Sequence, residues 1–210
     1  MRLYLSSYQL GDHPSALSAL VQGRRHGWVI MNALDGVAPE RRRRDAQRQI
    51  VDLARLGLVA HELDLRDHDP GSLAAAFGQP DFLWVRGGNV FALRAALGRS
   101  GADTLIADRV RADALVYAGF SAGACVLAPD LSGLEACDST QDAMTAYGRI
   151  DFTGLGILDR PLVPHLNSPQ HPECMALTEV AATYALNDQP YWALRDGQAL
   201  VIDGSNTVLL

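Results

Sequence analysis

The chain has 210 residues, 48% of them hydrophobic and 20% charged, with 24 acidic against 18 basic groups and a formal net charge of −6. With a mean hydropathy of +0.01, this excludes a disordered, collagen-like or coiled-coil chain, and the acidic balance argues against a nucleic-acid partner. Every basic residue is Arg, so mechanisms that need a lysine base or a Schiff base are excluded.

In chain order, short apolar runs alternate with segments of helical period. Strands are predicted over 3–5, 28–31, 59–65, 82–85 and 115–118. Several are apolar on consecutive residues, as strands buried on both faces require. A helix is predicted over 39–56, with Pro39 at its start, Gly57 just past its end, and Ala46, Ile50, Leu53 and Ala54 on one stripe. The run Arg41 to Arg44 lies in its first turns between Glu40 and Asp45 and reads as a solvated face rather than an anion site. Further helices are predicted over 89–99, 103–111 and 172–186. This alternation predicts one domain, 1–210, an α/β three-layer sandwich with a mainly parallel sheet. At the C-terminal end, 191–195, 198–203 and 207–210 read as short strands. Asp196-Gly197 and Asp203-Gly204 between them are hairpin turn signals, so an antiparallel extension is expected.

The three cysteines, Cys125, Cys137 and Cys174, include no CxxC pair. That speaks against a disulfide framework or zinc ribbon and fits a reducing cytoplasm. The N-terminal run is too short and polar for a cleavable signal, and no window approaches the ~20 apolar residues of a membrane span. A cytoplasmic protein without a membrane partner is expected. The chain ends at Leu210 inside a predicted strand, whose open edge makes a homodimer a candidate assembly.

The most informative stretch is a buried strand followed by Gly119-Phe120-Ser121-Ala122-Gly123 and a small-residue helix start. This is the G-x-S-x-G nucleophile elbow in its strand–turn–helix setting. So tight a turn strains the central residue and needs neighbours nearly free of side chains. The stretch also resembles a dinucleotide-binding glycine turn, but that turn belongs after the first strand of its unit and this one follows the fifth. A second loop, Arg86-Gly87-Gly88-Asn89, closes the strand 82–85. Asn89 reads there as a helix N-cap, and a Gly N–H, assigned to Gly88, pairs with that of Ala122 as an oxyanion hole.

A serine nucleophile needs a base and an orienter. His165 ends the apolar run that begins at Pro161 and is favoured over His171, which reads equally well as a loop or cap residue. His13, His26, His61 and His68 read as surface residues. Between the elbow and His165, the acids Glu135, Asp138 and Asp142 are open as orienters. No metal site is expected, for want of an HExxH or paired-Cys set.

Taken together, Arg86-Gly87-Gly88-Asn89, the segment from Gly119 to Ala124, and Pro164-His165 resemble the peptidase E family of serine peptidases. That family holds aspartyl dipeptidases and, more distantly, cyanophycinase. The resemblance covers nearly the whole chain. It implies a fold like the class I glutamine amidotransferases, no cofactor, and a triad in the chain order serine, acid, histidine, with Ser121 as nucleophile and His165 as base. The family's spacing for the acid falls at Ala136. Asp138 is chosen over Glu135 because it lies later in the loop, where the chain can turn back. The dipeptidases carry an Arg in the helix after the histidine, whereas this chain has none between Arg160 and Arg195. Arg86, Arg149 and Asn89 are therefore the candidates for binding substrate.

The function expected is a serine exopeptidase acting on short peptides, with Asp-Xaa dipeptides the first choice. The alternatives are an α/β-hydrolase-type esterase, for which the interval from Ser121 to His165 is short, and a non-enzymatic nucleotide or small-ligand binder.

Overall fold

A computed structural model describes residues 1–23 and 25–210. Its strands are β1 (Arg2–Ser6), β2 (His26–Ile30), β3 (Val59–Glu62), β4 (Phe82–Val85), β5 (Val116–Phe120), β6 (Leu162–Val163), β7 (Trp192–Ala193), β8 (Ala199–Asp203) and β9 (Asn206–Leu209). Seven of them form one sheet in the order β3-β2-β4-β5-β1-β8-β9. The first five run parallel, while β8 and β9 add an antiparallel hairpin at the β1 edge.

The helices are α1 (Pro14–Leu20), α2 (Pro39–Arg55), α3 (Pro70–Phe77), α4 (Val90–Ser100), α5 (Ala102–Arg111), α6 (Ala122–Cys125), α7 (Thr140–Tyr147) and α8 (Cys174–Leu186). Side-chain alternation along the strands splits the core into two layers. Val116, Ala118 and Phe120 of β5 pack with Leu17 and Leu53 of α1 and α2. Tyr117 turns to the other face, where α3, α4, α5 and α8 cover the sheet. Both faces are buried, which accounts for the continuous apolar runs of the central strands. None of the described helices is long and apolar enough to cross a membrane.

Three expectations change. The strand predicted over 59–65 ends at Glu62, and Leu65–Asp67 forms a 3₁₀ turn started by the Asp64 carboxylate, which accepts the Arg66 N–H at 3.0 Å. The segment 191–195 does not form a hairpin with β8. Its β7 pairs in parallel with β6 in a separate two-stranded sheet, so the Asp196-Gly197 turn carries the chain from one sheet to the other. The arginine run is also not uniformly solvated. Arg42 is buried, with its guanidinium against Glu62, Asp64 (3.1 Å) and Asp35 (3.4 Å). Arg41, Arg43 and Arg44 stay exposed.

Parallel strands aim their C-terminal ends at one edge of the sheet, where an open α/β fold places its ligands. The turns after β1, β4 and β5 meet at this edge.

Candidate active site

Ser121 follows β5 directly and has φ 50° and ψ −122°, a conformation that few side chains tolerate. Its carbonyl accepts the N–H groups of Ala124 (2.8 Å) and Cys125 (2.9 Å), which reverses the chain into α6. The bend forces α6 against β4: a Cβ at Gly123 would lie 2.1 Å from the Val85 carbonyl oxygen. Gly87 faces Ser121 in the same way, since a Cβ there would come within 2.8 Å of the Ser121 Cβ. The small residues of both loops are thus fixed by close backbone approach. Among the described residues, neither the Gly88 nor the Ala122 N–H donates to a backbone acceptor outside regular structure.

His165 follows β6 and is fully buried, also at positive φ (58°). Its Nδ1 lies 2.6 Å from Asp196 Oδ1. Ser7, just past β1, locks this pair: its Oγ accepts the His165 backbone N–H at 2.8 Å and donates to Asp196 Oδ1 at 2.8 Å. Ser168 Oγ accepts the Asp196 N–H at 2.8 Å. With Nδ1 on a carboxylate, the proton belongs on Nδ1 and the lone pair on Nε2. That Nε2 is buried and has no hydrogen-bond partner among the described residues. Burial pushes the His165 pKa below its ordinary value, the hydrogen bond that Asp196 accepts opposes this, and the neighbouring His171 adds to the lowering.

The expected pairing of His165 with Asp138 is not made. Asp138 follows the 3₁₀ turn Leu134–Ala136, and its Oδ2 accepts the Val90 N–H at 2.8 Å, capping the start of α4. Burial drives its carboxyl up to about 7. Glu135, the second choice, folds back on its own turn and accepts the Gly133 N–H at 2.7 Å. Both lie in a loop tied to α4 and α8, whereas the carboxylate on His165 comes from a turn later in the chain. A cavity of about 560 Å³ in that loop region, reaching Glu135 and Tyr184, includes neither Ser121 nor His165.

Asn89 serves as the N-cap of α4, its Oδ1 accepting the Ala92 N–H at 2.9 Å while its Nδ2 donates to the Ser139 carbonyl at 2.7 Å. Its amide is thereby occupied in holding structure. Arg149 is exposed and pairs with Asp151 at 3.2 Å. Arg86 lies differently. It stacks over the Phe120 ring at 5.6 Å, pairs with Asp45 at 3.0 Å, and lines a cavity of about 270 Å³ with Arg41, Arg48 and Tyr8. Three arginines and one carboxylate line this cavity, and Arg86 Nε is buried without an acceptor among the described residues. The Tyr8 ring joins this cavity to the histidines, with its centroid 6.1 Å from His165 and 5.5 Å from His171.

Sequence reasoning assigned no site role to Ser7, Asp196 or Glu173, and it left His171 as a cap or loop residue. The His171 ring lies flat on His165, at 3.4 Å between centroids and 4° between planes. Its Nδ1 also accepts the Glu173 N–H at 3.3 Å, so it helps to start α8 as well.

The sequence profile of Peptidase family S51 matches residues 46–210. An uncharacterized peptidase of Listeria monocytogenes is 31% identical over 156 residues, 74% of this chain and 73% of that protein. A peptidase E of Streptomyces coelicolor is 30% identical over 152 residues, 70% of this chain and 59% of its own length. Among solved structures, a candidate peptidase E from Listeria monocytogenes superposes with a TM-score of 0.80 at 25% identity, covering 100% of this chain and 97% of the other. A peptidase from an acI-B1 actinobacterium shares the fold, with a TM-score of 0.72 at 18% identity, over 100% of this chain and 86% of that one.

Proposed function

Since the chain belongs to peptidase family S51, we propose that it is a serine exopeptidase of short peptides, working through Ser121, His165 and Asp196. The observation that carries this reading is that two strained turns are tied to neighbouring residues at the end of β1: Ser121, at positive φ on the elbow, donates its N–H to the Ser6 carbonyl, and His165, at positive φ with Nδ1 on Asp196, donates its N–H to Ser7 Oγ. In this reading Ser121 Oγ attacks the scissile carbonyl and His165 Nε2 takes its proton. Asp196 holds the imidazole in the tautomer with the Nε2 lone pair free and stabilises the imidazolium that forms. The N–H groups of Gly88 and Ala122 receive the oxyanion. The imidazolium then gives its proton to the leaving amine, and a water that His165 activates hydrolyses the acyl-enzyme. Nucleophile and base make no mutual hydrogen bond at rest, and such bonds commonly tighten only with substrate in place.

The preferred substrate in this reading is an Asp-Xaa dipeptide. Its support is the likeness to peptidase E together with the cavity beside Phe120, where Arg86, Arg41 and Arg48 outnumber the single carboxylate of Asp45. A carboxylate placed there gains charge-assisted hydrogen bonds from guanidinium donors. The test is hydrolysis of Asp-Leu, Glu-Leu, Asn-Leu and Ala-Leu at equal concentration, with Ser121→Ala as control. Asp-Leu should be cleaved fastest. Equal rates for Asp-Leu and Ala-Leu would remove the aspartyl preference. No cleavage of any dipeptide, with ester cleavage that depends on Ser121, would replace the peptidase by an esterase.

A further inference from the structure

Glu173 stands beside the catalytic histidine and is used by nothing described so far. One of its carboxylate oxygens lies within 4.8 Å of a ring nitrogen of His165 and of His171. The residue is half-buried at the start of α8, and its own N–H is turned to His171. Among the described residues its carboxylate takes part in no hydrogen bond and no ion pair. Burial raises its pKa; the neighbouring His171 and Arg86 oppose the rise, and Asp196 adds to it. Cys137 and Asp138 are close enough to feel its charge. A shielded carboxylate without a cation is costly, and a cationic ligand would relieve that cost.

Two cations fit such a position, a metal ion or an ammonium group. A metal held by Glu173 and both histidines needs nitrogen lone pairs that converge on one point. These lone pairs lie in the ring planes, and the two rings are stacked parallel at 3.4 Å, so the lone pairs stay in separate parallel planes. An ammonium asks only for an acceptor within reach.

The reaction places one there. In a peptide cleaved after its first residue, the α-ammonium is two bonds from the attacked carbon, about 2.5 Å away. That carbon sits about 3–3.5 Å from the nucleophile in a reactive complex. The ammonium is therefore confined to the immediate surroundings of Ser121 and His165, where Glu173 is the carboxylate left over. The site is then polarised, with Glu173 on the His171 side and Arg86, Arg41 and Arg48 across the Tyr8 ring. That is the polarity of a zwitterionic residue.

We propose that Glu173 binds the free α-ammonium of the substrate's first residue and so confines cleavage to unblocked N-termini. This rests on the serine exopeptidase reading above. It makes Glu173 a specificity residue that touches substrate and takes no part in proton transfer.

The experiment measures kcat and KM for Asp-Leu and N-acetyl-Asp-Leu with the wild type, Glu173→Gln and Glu173→Asp, and labels each with a fluorophosphonate. Gln keeps the shape and removes the charge, so labelling of Ser121 should persist. With Asp-Leu, Glu173→Gln should raise KM by about ten- to a hundredfold, the scale of one charge-assisted hydrogen bond, with kcat little changed. Glu173→Asp should recover part of the loss. The wild-type preference for Asp-Leu over its acetylated form should collapse in Glu173→Gln. Unchanged KM for Asp-Leu, or an equal loss on both substrates, overturns the assignment while the peptidase reading stands. A wild-type protein that takes the label but cleaves no dipeptide overturns the peptidase reading, and this assignment with it.

Discussion

Replacing Asp196 by Asn tests which acid orients the base. Asn is isosteric, so the turn after β7 and the Asp196 N–H to Ser168 Oγ bond (2.8 Å) should survive. What changes is the atom pair at 2.6 Å between Oδ1 and His165 Nδ1. A neutral amide forfeits the charge-assisted part of that bond, about 1.5–3 kcal/mol, or roughly 10- to 150-fold in rate. Where the amide nitrogen turns to Nδ1, the imidazole is locked with its proton on Nε2 and cannot act as base, a change worth about 10⁴-fold in a serine protease triad. The expected outcome is a fall in kcat/KM on Asp-Leu of roughly 10²–10⁴ with KM nearly unchanged, because Asp196 acts through His165. Asp138→Asn is the counterpart. Asn still accepts the Val90 N–H, so kcat/KM should stay within about threefold of wild type. The assay is steady-state kinetics on both variants, with circular dichroism to confirm folding. If Asp196→Asn stayed within about threefold of wild type while a folded Asp138→Asn lost more than about a hundredfold, the assignment would be refuted.

Two further outcomes follow from titration. His165 must be neutral to act as base, and burial lowers its pKa, so kcat/KM should rise with pH through an inflection below the ordinary histidine value of about 6.5 and be flat at neutral pH; an inflection above 7 would contradict this. Asp138 is raised from 3.8 to about 7, so the folded state holds its proton more tightly than the unfolded chain. Its contribution is complete below about pH 4 and is lost as pH rises through about 7, by up to about 4 kcal/mol. Urea unfolding should therefore show Asp138→Asn gaining on wild type between pH 5 and pH 8, and a difference equal at both pH values would remove the buried, protonated carboxyl.

The fold was legible where its signals are local. Consecutive apolar residues marked the central strands, Pro39 and Gly57 bracketed α2, and the Asp203-Gly204 turn announced the hairpin of β8 and β9. The elbow was legible for the same reason: a strand followed by Gly119, Ala122 and Gly123 leaves the chain little choice of turn. Asp196 was hidden by an equally sound local rule. Asp-Gly between apolar runs reads as a hairpin turn, and only the pairing of β7 with β6 shows that this one bends toward His165 instead. Ser7 gave no signal, because its role depends on β1 lying beside β5 with Ser6 opposite Phe120. The arginine run misled in part, since helical spacing sends Arg42 into the acids of β3 and the turn after it and leaves Arg41 and Arg48 at the cavity by Arg86.

The proposed reaction depends on Ser121 being a nucleophile activated by His165. Incubating the protein with a fluorophosphonate and locating the adduct by peptide mass spectrometry tests it most directly. One stoichiometric adduct is expected, on Ser121, formed much more slowly in His165→Ala and absent in Ser121→Ala, which should also lose dipeptide hydrolysis by several orders of magnitude. A Ser121→Ala protein that still hydrolysed dipeptides at more than about a tenth of the wild-type rate would contradict it.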